Sequence, residues 1–392
     1  MSDVCNFESG YAFSSDDYKD KGTPLVRISN IQDGLVSLDN CVYIEGDIDK
    51  RFIINNGDLL IAMSGATTGK MGVYQYDCPA LLNQRVGNIK VNTSLLLQKY
   101  RDYFMQSQGD LILKLSYGGA QPNVSAKIIS DLFIPIPSLN EQENIVAEIE
   151  KWFGFIDEIE NGKIELESHI KKTKSKILDL AISGKLVPQD PNDEPAIELM
   201  KRINPSFEPC DNSHYENLPG NWCLAKVKDV FVINPRNKAE DNTIAGFIPM
   251  TLIDDGYSNT FSYEKRKWGS IKTGFTHFAD GDVAVAKISP CLENRKSIVL
   301  RDLPNAIGAG TTELHVFRSS VVVPEYALYF FKSEYFISKC VGTFNGVVGQ
   351  QRVGKNIIEE IQIPIPPINE QTKIVSTIET IFTQLNTITA EL

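Results

Sequence analysis

"IPIPSLNEQENIVAEIE" at residues 134–150 and "IPIPPINEQTKIVSTIE" at residues 363–379 are one segment written twice, 229 positions apart, with eleven of seventeen positions identical. The match extends upstream. "KIISDLFIPIP" (127–137) parallels "NIIEEIQIPIP" (356–366), and Gln121 and Val124 fall on Gln350 and Val353. More loosely, "NNGDLLIAM" (55–63) aligns with "ADGDVAVAK" (279–287), and "PLVRISNIQDG" (24–34) with "GFIPMTLIDDG" (246–256). An internal duplication of this length is the primary fact about the architecture.

Each copy has two parts. The first is a block of short apolar alternations, such as "GDLLIAM", "GNIKVN", "GDVAVAK" and "ELHVF", bounded by Gly, Asp and Asn, which reads as strands and turns. Helical stretches at 97–115 and 325–340 are mixed in. The second is a long helix. Pro135, Pro137, Pro364 and Pro366 forbid helix before it, and Asn140 and Asn369 are placed as N-caps. Apolar residues then recur at Ile145, Ile149, Trp152, Ile156 and Ile159, continuing through Leu166, Ile170, Ile177 and Leu180. The second copy repeats them as Ile374, Ile378, Ile381, Leu385 and Ile388. A period of 3.5 residues specifies a helix-pairing seam. Gly184 and Pro188 end the first helix. The expected fold is α+β: two similar sheet-rich blocks separated by a long antiparallel two-helix coiled coil with pseudo-two-fold symmetry.

Composition limits the chemistry. The chain has 392 residues, a net charge of −11 and no run of about 18 apolar residues, so a cytoplasmic protein without a membrane span is expected. Seven cysteines without CxxC spacing point to reduced thiols and no metal site. The negative charge is concentrated in residues 140–217, at −8; residues 218–368 carry +2. Basic patches on the blocks are therefore compatible with the acidic total. Catalytic motifs fail on inspection. "SGATTGK" lacks the Walker spacing, and no Asn/Asp-Pro-Pro-aromatic tetrapeptide or Asp…Glu-x-Lys set is present.

Block, Pro-Ile-Pro…Asn-Glu-Gln junction, long helix, the linker "AISGKLVPQDPNDEPAIELMKRI" (181–203), then block and helix again: this order resembles the specificity (S) subunit of a type I restriction–modification system. "LPGNWCLAKVKDV" (218–230) is similar to the opening of a target recognition domain of that family, and "GDLLIAMSGATTGKMGV" (57–73) to a strand–loop–strand within one. The resemblance implies target recognition domain 1 at 1–139, spacer helix 1 at 140–184, a linker at 185–217, target recognition domain 2 at 218–368 and a short spacer helix 2 at 369–392. It further implies a bipartite double-stranded DNA target and docking of two methyltransferase subunits. S-adenosylmethionine would sit on those partners rather than on this chain. A restriction/translocase subunit would complete the complex, with no catalysis by the specificity subunit itself.

Residues shared by both blocks cannot explain reading different bases, so readout is expected among divergent polar loop residues. Block one offers Ser64, Thr67, Thr68 and Lys70, with Gln84 and Arg85. Block two offers Lys265, Arg266, Lys267 and Trp268, then Ser289, Asn294, Arg295 and Lys296. Gln121 and Gln350 are shared, and suit scaffold or phosphate contact. Two departures from the family pattern stand out. No counterpart of "LPGNWCLAKVKD" precedes "FESGYAF", and none of residues 160–182 follows Leu392. They keep open an alternative reading: a structural or interaction protein, a truncated or defective allele that binds only the methyltransferase subunits without DNA readout.

Overall fold

The computed structural model describes residues 1–32, 34–46, 49–117, 122–211, 218–343 and 351–391. The chain divides into two compact units, residues 1–160 and 161–392.

Unit 1 runs β1 (Cys5–Ser9), β2 (Thr23–Val26), β3 (Ile31–Gln32), β4 (Gly34–Val36), β5 (Val42–Ile44), β6 (Ile53–Ile54), β7 (Leu59–Ala62), β8 (Met71–Val73), β9 (Ala80–Leu82) and β10 (Val86–Val91). Helices α1 (Gln98–Ser107), α2 (Gly109–Ser116) and α3 (Ala126–Ser130) follow, then the long α4 (Leu139–Ile182). The strands form two sheets, β1-β10-β7-β8-β4-β3 and β5-β2-β9-β6. Strand β7 is buried on both faces. Leu60 and Ala62 enter the core between the sheets, while Leu59 and Ile61 join Met105, Ile112 and Ile129 beneath the helices. That two-sided burial explains why "DLLIAM" is continuously apolar rather than alternating.

Unit 2 contains the rest of α4, α5 (Ala196–Ile203), β11 (Cys223–Lys226), α6 (Val227–Val230), β12 (Val232–Ile233), β13 (Ile244–Ile248), β14 (Glu264–Lys267), α7 (Trp268–Ile271) and β15 (Thr276–Ala279). It continues with β16 (Val283–Ala286), β17 (Ser297–Val299), β18 (Ile307–Gly310), β19 (Leu314–Arg318), α8 (Pro324–Lys332), α9 (Glu334–Val341), α10 (Lys355–Glu360), β20 (Gln362–Ile365) and α11 (Ile368–Ala390). Its sheets β12-β19-β16-β17 and β14-β13-β18-β15 repeat the unit 1 orders, including the central parallel pairs β2–β9 and β13–β18. A further pair, β11–β20, belongs to unit 2 alone among the described residues.

Two shared motifs hold this scaffold. Gly57 and Gly281 take left-handed φ values of +85° and +84° before Asp58 and Asp282, a conformation that favours glycine. Each Asp carboxylate then accepts the N–H three residues back, Asn55 at 3.0 Å and Ala279 at 2.7 Å. The second motif is the junction glutamine. Gln142 Oε1 accepts from Leu97 N–H (2.9 Å) and its amide donates to the carbonyls of Leu95 and Pro137 (both 2.9 Å). Gln371 does the same, accepting from Val323 N–H (2.7 Å) and donating to Val321 (3.3 Å) and Pro366 (3.0 Å). Both glutamines are fully buried. Each ties the start of a spacer helix to the N-terminus of an earlier helix of the same unit, α1 for Gln142 and α8 for Gln371.

Helix starts differ from the sequence expectation. Ser138, not Asn140, accepts the Glu141 N–H (3.3 Å), and Pro367 occupies the N-cap position of α11. Asn369 instead donates to Asp193 (2.9 Å) in the linker. In both copies the cap falls two residues before the Asn, because proline at the boundary already sets an extended φ/ψ.

Within unit 2, α11 packs antiparallel on the last turns of α4. Ile374, Val375, Ile378 and Phe382 share one core with Ile177, Leu178, Ala181 and Ile182. Lys174 donates to Asn386 (2.6 Å) and lies over the Phe382 ring. Ile381 and Leu385 flank this core, whereas Ile388 is exposed. On the earlier part of α4, Ile145 and Ile149 are half-buried. Trp152, Ile156 and Ile159 are exposed at 59%, 46% and 71%. The partner of the second-helix stripe is thus 177–182, as antiparallel packing of two helices of 44 and 23 residues requires.

Candidate nucleic-acid interface

In each unit, four connections meet at one end of the sheets. In unit 1 they are the turn after β2 (27–30), the β7–β8 loop (63–70), the β9–β10 turn (83–85) and the stretch 122–124. Backbone bonds lock them together: Met63 N–H to Arg85 O (2.9 Å), Val124 N–H to Met63 O (2.7 Å) and Asn83 N–H to Val26 O (3.2 Å). In unit 2 the same pattern joins Lys287 N–H to Glu313 O (2.9 Å) and Val353 N–H to Lys287 O (2.9 Å). The isolated bridges Ser64–Asn123 and Ile288–Arg352 complete the parallel. One scaffold therefore presents two loop sets of different sequence and length.

In unit 1, Lys70, Gln84 and Arg85 are exposed on this edge, and their side chains have no hydrogen-bond or ion-pair partner among the described residues. Ser64 is half-buried in its bridge. Thr68 turns inward, its hydroxyl donating to Gly65 O (2.7 Å), and Thr67 Oγ1 is a buried atom. The threonines shape the loop; the cation and the 84–85 pair face outward. Beside the 83–85 turn lies a cavity of about 520 Å³, lined by Tyr11, Phe13, Lys19, Arg51 and Phe52.

In unit 2, Ser289 and Asn294 lie on the equivalent β16–β17 loop. Ser289 donates to Glu293 (2.8 Å), and Asn294 is exposed. Arg295 and Lys296 are committed to the fold. Arg295 donates to Lys332 O (3.1 Å) and Glu334 (2.7 Å) and stacks over Tyr257; Lys296 donates to Ile253 O (2.7 Å). Trp268, expected on the surface, is 2% exposed and meets His277 edge-on at 4.7 Å, inside the core of the β13–β18 sheet. Lys265, Arg266 and Lys267 lie on β14, the outer strand of its sheet, where charge also discourages edge-to-edge pairing. Arg266 pairs with Glu264 and covers the Phe247 ring at 3.7 Å. Lys267 pairs in register with Ile244 at the start of β13, whereas Lys296 reaches the 250–253 turn beyond its end. The two basic clusters thus point to opposite ends of β13. Gln121 and Gln350 lie outside the described residues.

The 311–313 turn, the counterpart of 83–85, is not among the residues expected from sequence. It carries Thr311, Thr312 and Glu313, and Glu313 binds Arg352 through two bonds of 2.7 and 2.9 Å. The repeat offset from Gln84 and Arg85 was the available signal. His315 lies just beneath this turn, 4% exposed, between Asn234 and the Val353 carbonyl (both 3.3 Å). Burial holds its pKa down at about 4, so the ring is neutral.

A duplicated α+β scaffold with two non-identical loop edges and a helix leading from each block defines a protein of two similar units that present different loop chemistry. The family model described as "Type I restriction modification DNA specificity domain" matches residues 1–168 and 219–392, and the chain belongs to that family. It is 41% identical over 236 residues to the EcoEI specificity subunit of Escherichia coli, and 41% identical over 234 residues to the EcoAI specificity subunit of the same species. Each match covers 55% of this chain and 40% of the relative. The EcoBI specificity subunit matches 99% of the chain at 21% identity, covering 79% of that relative. The same fold occurs in the HsdS subunit from Thermoanaerobacter tengcongensis, with a TM-score of 0.56, 15% identity, and coverage of 99% of this chain and 91% of that one. It also occurs in a chain solved in a study of complex assembly and conformational transition of the type I R-M system, with a TM-score of 0.60 and 15% identity over 99% of this chain and 92% of that one. No helix among the described residues is long and apolar enough to cross a membrane.

Proposed function

We propose that this chain is the sequence-reading subunit of a type I restriction–modification complex. Each unit reads one half of a bipartite double-stranded DNA target through its four-connection edge. The observation that carries the reading is the conservation of scaffold against divergence of loop: the Gly-Asp turn, the Gln clamp and the inter-loop bonds recur, while the exposed residues they present differ. Such an arrangement reads two different half-sites with one way of approaching the groove. Lys70, Gln84 and Arg85 supply the contacts of the first half-site, and Asn294 with the 311–313 turn those of the second. Lys265 and Lys267 supply phosphate contact. The exposed apolar face of α4 around Trp152 and Ile156 suits docking of methyltransferase subunits. Those subunits carry S-adenosylmethionine and perform the chemistry, a restriction/translocase subunit completes the assembly, and this chain performs no reaction itself.

A gel-shift series tests the proposal, with the chain alone and with its methyltransferase partners, on random-sequence and genomic DNA across a salt titration. Binding that falls steeply with salt supports DNA reading. Salt-independent complex formation with the partners but not with DNA supports the interaction-only alternative. N6-methyladenine sequencing of a host carrying the gene and its partners should then show a two-part motif with one constant gap.

A further inference from the structure

Lys332, the last residue of α8, has no exposed surface. Lysine is almost never buried whole unless its ammonium is paired. Here Nζ instead donates to two main-chain carbonyls, Gly256 (2.7 Å) and Arg295 (2.8 Å). Gly256 lies on the turn between β13 and β14, and Arg295 on the β16–β17 loop that presents Asn294. The two segments meet where the Gly256 N–H donates to the Asn294 carbonyl (2.7 Å). Lys332 thus fastens both from the inside, while Asn294 stands exposed on the outside.

Both held carbonyls belong to residues with left-handed backbone, φ +69° at Gly256 and +60° at Arg295. Arginine rarely adopts that conformation, and it persists only where its surroundings over-determine it. The Arg295 side chain adds to the lock. Its Nε donates to Lys332 O (3.1 Å), its Nη2 to Glu334 (2.7 Å), and its plane lies over Tyr257. The loop also borders a cavity of about 530 Å³, lined by Lys171, Lys174, Tyr257, Glu293 and Asn294, so packing does not hold it there. Unit 1 is built differently. Tyr100 and Tyr326, the third residues of α1 and α8, both donate to a proline carbonyl of the repeated junction, Pro135 (3.1 Å) and Pro364 (2.8 Å), which sets the register of the two helices. The ninth residue is Lys332 in α8 and Gln106 in α1, and Gln106 is exposed, its amide without a hydrogen-bond partner among the described residues.

We propose that Lys332 is the positioning residue of the second unit's reading edge: its buried ammonium holds the 255–257 turn and the 289–296 loop as one body and so fixes where Asn294 meets the groove. The link to the groove rests on the DNA reading proposed above; the holding of the two segments does not. Base discrimination needs a side chain held in one place, and this clamp supplies that for the second half-site alone. Burial, with the Arg295 guanidinium beside it, brings the Lys332 pKa down to about 7 against the opposing pull of Asp255. Arg295 in turn pairs with Glu334 on α9 and faces Asp179 on α4. Released into water, the ammonium titrates at about 10.4. Opening of the clamp therefore takes up a proton between those values, and falling pH favours opening.

Amide hydrogen exchange of the 255–257 and 289–296 segments in the full chain reads the clamp. After correction for the intrinsic rate, opening in the wild type should grow close to tenfold per unit of falling pH between about pH 9 and 8. Lys332→Met keeps the side-chain length and loses the donors. The same amides should then exchange about tenfold faster at about pH 8, without that pH dependence. An apolar residue of similar volume in place of a buried ion is compatible with a native melt; if the variant does not fold, the wild-type pH series decides. With its methyltransferase partners, Lys332→Met should relax the unit 2 half of the methylated motif and leave the unit 1 half intact. Wild-type exchange in Lys332→Met, pH-independent opening in the wild type, or a motif unaltered in both halves overturns the proposal. Absence of salt-dependent DNA binding by the wild type would instead retire the recognition reading, and the exchange data alone would then decide whether Lys332 holds the two segments.

Discussion

Gln142 and Gln371 show how much one buried side chain can fix. Each satisfies one N–H and two carbonyls at the point where a spacer helix leaves its block. Truncation to alanine strands those groups away from water, so Gln371→Ala should cost about 2–4 kcal/mol in urea unfolding. Gln371→Glu should be comparably harmful, because a carboxylate offers no donor to the carbonyls of Val321 and Pro366. Equal stability of Gln371→Ala and wild type would show that water replaces the clamp. His315 makes the residue scale pH-dependent. Its folded pKa, about 4, lies below the ordinary histidine value near 6.5, so between those pH values the unfolded chain binds the extra proton. Stability should be level above about pH 6.5 and decline by no more than about 3 kcal/mol as pH falls to about 4. His315→Gln should flatten that decline in a series of thermal melts from pH 4 to 7. An unchanged slope would assign the acid sensitivity to other groups.

At the scale of elements, the repeat made the two blocks and the paired helices legible, because both copies must bury the same strands and cap the same turns. Of the stripe expected on the second helix, Ile374 and Ile378 are buried against the end of α4 and Ile381 flanks that core. Ile378→Ala should cost about 2–5 kcal/mol, whereas Ile156→Ala, at a 46%-exposed position, should stay within about 0.5 kcal/mol. Chemical denaturation of the two variants checks the contrast directly. The loops were legible as loops, since "SGATTGK" and "ISPCLENRK" each interrupt two strands. Which of their cations face outward was not. Arg295 and Lys296 find carbonyl partners 37 and 43 residues away, and Trp268 closes on His277, contacts that no local pattern encodes. The consequence is testable in DNA titrations. Lys70→Ala and Arg85→Ala should each weaken binding and lower the salt slope by about one ion if they meet phosphate. Lys296→Ala should act mainly on stability. A Lys296→Ala protein that melts like wild type but loses DNA affinity would reverse that division.

At the scale of the whole molecule, the proposed function assigns one half of a target to each unit and makes the length of chain between them the determinant of the gap. Exchanging residues 218–368 for the corresponding block of another specificity subunit should then change one half of the methylated motif and leave the other half intact. The packing of unit 2 adds a condition. Tyr257 and Tyr329 meet the ring of Phe382 on α11 edge-on, at 5.6 and 5.9 Å, so this block and its helix share one core. A donor block with aromatic residues at both positions should retain stability and transfer its half-site cleanly. A donor lacking them should lose melting temperature, and a joint exchange of 218–392 should restore it. Genome-wide N6-methyladenine sequencing of hosts carrying each chimera reads the outcome. One altered half-site beside a constant partner sequence is expected. A motif that changes on both sides, or on neither, would mean that base choice is not partitioned between the two units.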